Sequence, residues 1–341
     1  MNPDNRLSQL NTWLATLTSK WSIDLATLQP ASSDASFRRY FRVLSTKNGS
    51  QASFIVMDAP PATEDTKPFI KISQLLVDAK LNAPKVLEKD VEQGFLLLTD
   101  LGNQTYLSAL NQETAPKLYQ DANNALIQMQ LASKPGVLPE YDKALLTREL
   151  ELFPEWYLGK HLQIQLDVKQ KDDLAKVFSL ILENNLSQSQ VIVHRDYHSR
   201  NLMVTDQNNP GILDFQDAVY GPITYDLASL YRDAYIEWEE PEQMDWLIRY
   251  WDKARKAGLP VQSEFGDFYR DYEWMGLQRH LKVLGIFARL YHRDGKDGYL
   301  KDIPLVFKYT RKVAERYIAL KPLVQLLDSI EGIQRPDGLT F

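Results

Sequence analysis

The spacing of apolar positions divides the chain into stretches of different period. Within residues 6–20, Leu7, Leu10, Trp13, Leu14 and Leu17 recur at helical intervals and predict one helix with a single buried face. The period then shortens. A polar turn over 32–36 leads into residues 37–43, which alternate as a strand, and a turn at 47–50 leads into a second strand over 53–57, closed by Pro60-Pro61. Two antiparallel strands behind a polar turn place Ser33 and Ser36 on a flap over a ligand. Phe69, Ile72, Leu75, Leu76 and Ala79 predict a helix over 68–80, followed by a strand from 83–87 and a buried strand over 94–98 that runs into Thr99-Asp100-Leu101-Gly102.

Beyond Gly102 the pattern is mostly helical. Helices are predicted over 115–130, 141–160 and 169–184, and helices resume from Tyr225, broken at Gly258-Leu259-Pro260 and at 294–298, with a loose tail over 332–338. Three short apolar strands, 191–193, 202–204 and 211–213, interrupt the helical part. The predicted fold is α+β and bilobal: a small β-rich lobe over 1–100 and a larger, mainly helical lobe over 101–341. A chain of 341 residues exceeds what one hydrophobic core normally spans, which agrees with two lobes.

Composition narrows the function classes. The 44% hydrophobic and 25% charged residues are ordinary for a soluble globular protein, and a net charge of -6 gives no sign of a nucleic-acid-binding surface. No cysteine is present, which excludes disulfides and thiolate metal sites and fits a reducing cytoplasm. The first ten residues lack the pattern of a signal peptide, and no apolar run approaches the ~20 residues that cross a bilayer, so no membrane role is expected.

The chemistry concentrates between Val191 and Asp217. The chain there reads V-I-V-H-R-D-Y-H-S-R-N-L-M-V, a polar turn, then G-I-L-D-F-Q-D. Two apolar strands flank a polar hairpin carrying Asp196 and Asn201, and a third strand delivers Asp214. Oxygen-bearing side chains at strand ends suit magnesium and a triphosphate. Phosphoryl transfer needs a carboxylate to orient or deprotonate the attacking hydroxyl, oxygen ligands for a metal that bridges the phosphates, and cations against the transferring charge. Asp196 suits the first role. Asn201 offers an amide oxygen and Asp214 a carboxylate to the metal. His194 and His198, four apart, lack the following glutamate and the helix of a zinc motif; His194 reads as structural and His198 as lying at the site edge.

The H-R-D-Y-H-S-R-N and I-L-D-F-Q segments, the helical second lobe and Tyr225-Asp226-Leu227-Ala228 resemble the aminoglycoside phosphotransferase and choline kinase group of protein-kinase-like enzymes. The resemblance implies ATP and magnesium as cofactors, Asp196 as catalytic base, Asn201 and Asp214 as metal ligands, and Asp226 as the buried carboxylate that braces the catalytic loop. The segment from Ser33 to Arg42, Met57-Asp58-Ala59-Pro60-Pro61, and the segment from Gly276 to Leu290 are similar to the anomeric sugar kinases of peptidoglycan recycling. That similarity implies phosphorylation of the C1 hydroxyl of N-acetylmuramate and N-acetylglucosamine, with a sugar-1-phosphate uridylyltransferase as the following enzyme of a bacterial cytoplasmic pathway. Residues 1–100 would then cover the nucleotide, with the backbone of Thr99, Asp100 and Leu101 against the adenine edge, and 101–341 would supply the catalytic loop and the acceptor-binding helices.

One departure from the family stands out. The strand that ordinarily carries a phosphate-binding lysine reads Phe54-Ile55-Val56-Met57-Asp58, and the 68–80 helix has no glutamate to pair with one. Another cation must replace the lysine. Arg38 and Arg39, which alternation puts on opposite faces, and Lys71 are the candidates. For the acceptor, N-acetylmuramate carries a carboxylate, so cations are expected; Arg232, Asp233, Glu273, Arg279 and His280 are the candidate residues, with Trp274 and Tyr291 as possible stacking partners. A polycationic aminoglycoside would want acid instead, and Glu237, Glu239, Glu240 and Glu242 form a cluster that reads as a solvated helix end. A choline-like acceptor and a nucleotide-binding scaffold without turnover are the competing readings.

Overall fold

The computed structural model describes residues 5–33, 37–46 and 52–333. In chain order it contains helix α1 (Asn5–Trp21), strands β1 (Ile23–Ser33), β2 (Arg39–Ser45) and β3 (Ala52–Asp58), helix α2 (Thr66–Asp78), strands β4 (Val86–Asp90) and β5 (Phe95–Thr99), and the single turn α3 (Tyr106–Ala109). Helices α4 (Ala115–Leu131) and α5 (Lys143–Leu150), a π-helical segment Phe153–His161 and helix α6 (Val168–Ser187) follow. Short strands β6 (Gln190–Val193), β7 (Leu202–Met203), β8 (Gly211–Ile212) and β9 (Val219–Pro222) come next, then helices α7 (Tyr225–Tyr231), α8 (Glu240–Lys256), α9 (Phe265–Asp294), α10 (Ile303–Ala314) and α11 (Lys321–Glu331). The expected turn at 47–50, residues 34–36 of the expected flap, and residues 334–338 of the expected tail lie outside the described residues. The elements form two compact units, Met1–Ala109 with Arg200–Asp217, and Leu110–Ser199 with Ala218–Phe341.

In the first unit the sheet order is β1-β2-β3-β5-β4, antiparallel at every pairing. The period-2 pattern of β2 buries Phe41, Val43 and Ser45 on one face. That face meets α1, whose Leu10 and Leu14 are buried with Ile23, Phe41, Val43, Val56, Phe95 and Leu97. The pattern did not predict β1. Pro30 lies within it, and its register against β2 shifts between Asp24 and Gln29 and again between Pro30 and Ser32. A proline has no N–H to donate, so such a strand is tolerated at a sheet edge, where β1 lies. Helix α2 starts where the Asp65 side chain accepts the Lys67 amide (2.9 Å) and buries Phe69, Ile72 and Leu76. The β7–β8 pair joins the same unit through the Val204 amide on Gln104 O (2.8 Å) and the Ile212 amide on Asn82 O (2.8 Å).

The second unit is built around the 30-residue helix α9. Met275, Leu277, Leu281, Leu284 and Ala288 of α9 share a core with Phe153, Leu158, Ile181, Val306 and Leu323. Two expectations are corrected here. The single helix predicted over 141–160 is split, because Pro154 cannot donate a helical hydrogen bond and its ring blocks the preceding turn. The chain continues with wider π-helical bonds, such as the Leu162 amide on Tyr157 O (3.0 Å). The strands over 191–193 and 202–204 do not form one hairpin either: β6 pairs with β9, and β7 pairs with β8. The amides of His194 and Arg195, which would have continued the β6 ladder, are taken by the Asp226 carboxylate. No helix among the described residues is long and apolar enough to cross a membrane.

Candidate active site

Asp196 follows a backbone kink. Arg195 has φ 76°, in the left-handed region, and the kink aims two successive amides at one carboxylate. Asp226, at the start of α7, accepts His194 N at 2.7 Å and Arg195 N at 3.0 Å. It is 1% exposed, and burial pushes its carboxyl up to about 7, against the two amides and with the Asp196 charge adding to the rise. The Asp196 amide in turn donates to His194 Nδ1 (3.3 Å), so His194 is a structural brace.

A buried charge cluster stands behind this loop. Arg195 pairs with Glu149 of α5 (2.5 Å), Lys282 of α9 pairs with the same carboxylate (3.1 Å) and donates to Tyr225 OH (3.0 Å), and Tyr141 OH donates to Glu149. Burial works against the Glu149 charge, but Lys282 and Arg195 outweigh it and hold the carboxyl below its ordinary range. Burial likewise opposes ionisation of Asp196, yet Lys282, His198, Arg195 and His194 keep that carboxyl low. A carboxylate kept ionised and aimed by a rigid loop is the group a hydroxyl nucleophile requires. Sequence reasoning missed Glu149 and Lys282. Lys282 sits inside the Gly276-to-Leu290 stretch already singled out, but its partner is 133 positions away in the chain.

The two candidate metal-binding residues, Asn201 and Asp214, belong to the first unit. The Leu213 amide donates to Asn201 O (2.9 Å), and Asn201 Nδ2 lies 3.4 Å from Asp214 Oδ2. Asp214 has φ 59°, a conformation that residues with a side chain rarely adopt, and Gln216 Nε2 donates to its Oδ1 (2.8 Å). Its side chain is 35% exposed. An amide oxygen beside a partly exposed carboxylate fits a magnesium ion, which takes few protein ligands and retains waters.

The remaining first-unit candidates differ in their surroundings. Arg39 binds buried Asp58 through Nε (2.9 Å), and Arg6 of α1 binds the other oxygen of the same carboxylate. Arg38 lies on the opposite side, with Nη2 3.9 Å from Asp214 Oδ1 and Nε 3.7 Å from Glu64 Oε2. Lys71 is exposed on α2. Thr99 is fixed to Lys85 by its amide (3.1 Å) and its hydroxyl (2.9 Å). Asp100 accepts Arg42 twice (2.6 and 3.0 Å) and the Gly102 amide (2.9 Å). Burial opposes its charge, but Arg42, Ser53 and that amide hold the carboxyl below the usual range. Leu101 packs where a Cβ on Gly211 would meet its Cδ1 at 3.0 Å. Ser33 ends β1, paired with Arg39, and Ser36 lies outside the described residues.

The five acceptor candidates lie within the second unit, buried. Arg232 Nη2 donates to Glu273 (2.9 Å), which also accepts Arg316 (2.5 Å) and Tyr317 OH (2.8 Å). Asp233 accepts the Ser199 amide (2.9 Å), the Ser199 hydroxyl (2.5 Å) and the Tyr235 amide (3.1 Å), so it braces the end of the loop that carries Asp196. His280 contacts Arg232 O (3.0 Å) and stacks on Tyr309; burial, then Arg279, pushes its imidazole well below the ordinary range and leaves it neutral. Arg279 is 4% exposed, and its Nη1, Arg232 Nη1, His280 Nδ1, Tyr272 OH and Tyr309 OH are buried with no hydrogen-bond partner among the described residues. Trp274 is buried beside Tyr317, while Tyr291 is exposed. The acidic run has structural partners: Glu239 and Glu242 cap α8, Glu240 binds Arg316 and Lys312, and Glu237 binds Lys308.

Known proteins match this chain over most of its length. The model of the phosphotransferase enzyme family matches residues 27–264. Two proteins named N-acetylmuramate/N-acetylglucosamine kinase are similar throughout. The one from Pseudomonas aeruginosa is 48% identical over 97% of this chain and 98% of its own, and the one from Neisseria meningitidis 49% identical over 98% and 99%. Among solved structures, a choline/ethanolamine kinase family protein from Mesorhizobium loti aligns with TM-score 0.62 at 12% identity over 95% of this chain and 99% of its own. A gentamicin complex of an aminoglycoside phosphotransferase aligns with TM-score 0.58 at 16% identity over 87% and 95%. These two show a shared protein-kinase-like fold. On the sequence matches, the chain belongs to the phosphotransferase enzyme family.

Proposed function

We propose that this enzyme transfers the γ-phosphoryl group of ATP to the anomeric hydroxyl of N-acetylmuramate and N-acetylglucosamine. The observation that carries the reading is near-full-length similarity, at 48% and 49% identity, to kinases named for those two sugars. Asp196 orients the C1 hydroxyl and receives its proton as the oxygen–phosphorus bond forms, while the bond from the γ-phosphorus to the bridging oxygen breaks and ADP leaves. Asn201 and Asp214 hold magnesium, which when bound neutralises charge on the phosphates. Residues 1–100 cover the nucleotide, with Ser33, Ser36, Arg38 and the Thr99–Leu101 backbone as contacts. The helices beyond residue 101 receive the sugar, and Arg279 and Arg232 offer donors to a carboxylate. A cluster rich in guanidinium groups is a poor host for a cationic aminoglycoside or a choline-like alcohol.

The product, a sugar 1-phosphate, is a substrate for nucleotidyl transfer, so a uridylyltransferase working in the same cytoplasm is the proposed next step. ADP release from a panel of sugars with ATP and magnesium tests the reading. N-acetylmuramate and N-acetylglucosamine are expected to support it, and an absence of release with both would refute the assignment. In the same assay Asp196→Asn is expected to lower kcat about 10³-fold, or about 4 kcal/mol. Turnover within threefold of wild type would remove Asp196 from its role.

A further inference from the structure

The transferred phosphate needs a cation beside the metal ligands, and the strand lysine of the family is missing. Of the three basic candidates, Arg39 is bound to Asp58 and lies over the Phe41 ring (5.6 Å), on the α1 side of the sheet. Lys71 is an exposed residue of α2. Arg38 Nη2 lies 3.9 Å from Asp214 Oδ1, and its side chain is 10% exposed.

Glu64 sets the position of that guanidinium. Its Oε2 lies 3.7 Å from Arg38 Nε, and its Oε1 accepts the Phe37 amide (3.2 Å), so one carboxylate grips both the side chain and the backbone that carries it. Glu64 is itself anchored: its amide donates to Pro60 O (2.9 Å), and the next residue, Asp65, caps α2. Helix α2 then packs Phe69 on Phe215, ring centroids 4.7 Å apart, and Phe215 is the residue after Asp214. The guanidinium and the metal-binding carboxylate are therefore positioned by one helix and its N-terminal turn, all within the first unit.

We propose that Arg38 is the phosphate-binding cation of this enzyme and that Glu64 is a positioning residue that aims it. The pair supplies, from the strand entrance and the turn before α2, what a strand lysine and a helix glutamate supply elsewhere in the family. A guanidinium suits the task because its planar fork binds two phosphate oxygens at once. The assignment rests on the reading of the protein as an ATP-dependent kinase.

Binding of ATP with magnesium, and of adenosine, measured by titration calorimetry on the full chain tests it. Arg38→Ala is expected to weaken ATP at least tenfold and leave adenosine unchanged, and Arg38→Lys to fall between Arg38→Ala and wild type. Glu64→Gln is expected to weaken ATP severalfold in the wild-type background and to have no further effect in Arg38→Ala, because it acts through the missing guanidinium. Equal ATP binding by Arg38→Ala and wild type would overturn the role of Arg38. Additive losses would overturn the role of Glu64. Should Arg38→Ala fail to fold, Arg38→Lys decides: unchanged ATP affinity there refutes the need for the fork. Wild-type protein that binds adenosine and ATP equally refutes a phosphate cation, whereas wild type that binds neither refutes the kinase reading itself.

Discussion

Arg38 and Arg39 are adjacent in the chain and end in different surroundings, because a strand turns successive side chains to opposite faces. One ion-pairs with buried Asp58 and the other stands near Asp214. Alternation announces the separation, but not which face is which. At the same scale, Asp226 carries a measurable signature. Its carboxyl is raised to about 7 in the folded protein, so between the unfolded value near 4 and 7 the folded state binds the extra proton. Its contribution to stability is complete below that window, is lost as pH rises through it, and is level above it. Urea unfolding of wild type and Asp226→Asn between pH 4 and 8 is expected to show the difference between them falling up to about pH 7 and flat beyond; a difference independent of pH would contradict the raised value. Arg279 carries a second expectation. If its buried guanidinium receives the sugar carboxylate, Arg279→Gln should raise KM for N-acetylmuramate about tenfold or more and that for N-acetylglucosamine much less, because a hydrogen bond to a charged group contributes ~1.5–3 kcal/mol. Equal shifts for the two sugars would assign Arg279 a packing role.

The helices with a clean apolar face, α1, α2, α4 and α6, lie close to their predicted bounds, since the periodicity is a local property that burial only has to accept. The misses are the elements whose form depends on a neighbour. β1 carries a proline and two register shifts, which only an edge position permits. The helix expected over 141–160 breaks at Pro154, where α9 crosses closely: a Cβ on Gly285 would stand 2.4 Å from the backbone oxygen of Leu152. Gly285→Ala should therefore destabilise the protein by about 2 kcal/mol despite alanine's better helix propensity, because a backbone segment rather than a side-chain tip has to move. Thermal unfolding followed by circular dichroism would register this as a lower Tm; an unchanged or higher Tm would show that the close approach relaxes at little cost.

At the scale of the whole molecule, the chain divides into two units with separate cores, one gathered on α1 and the sheet and one on α9. The segment from Arg200 to Asp217 returns to the first unit after the chain has built the early helices of the second. Asn201 and Asp214 thus share a unit with Arg38 and Glu64, whereas Asp196 shares one with Glu149, Asp226 and Lys282. The sequence by itself determined the α+β class and the family, and it singled out the run from Val191 to Asp217 as the candidate seat of the chemistry, because periodicity and motif spacing are written over a few adjacent residues. Only the tertiary structure decided which charges meet. Glu64 with Arg38, Glu149 with Arg195 and Lys282, and Asp58 with Arg6 and Arg39 are pairings between elements far apart in the chain. An ion pair depends on separation in space, and separation in space is set by how helices and strands pack.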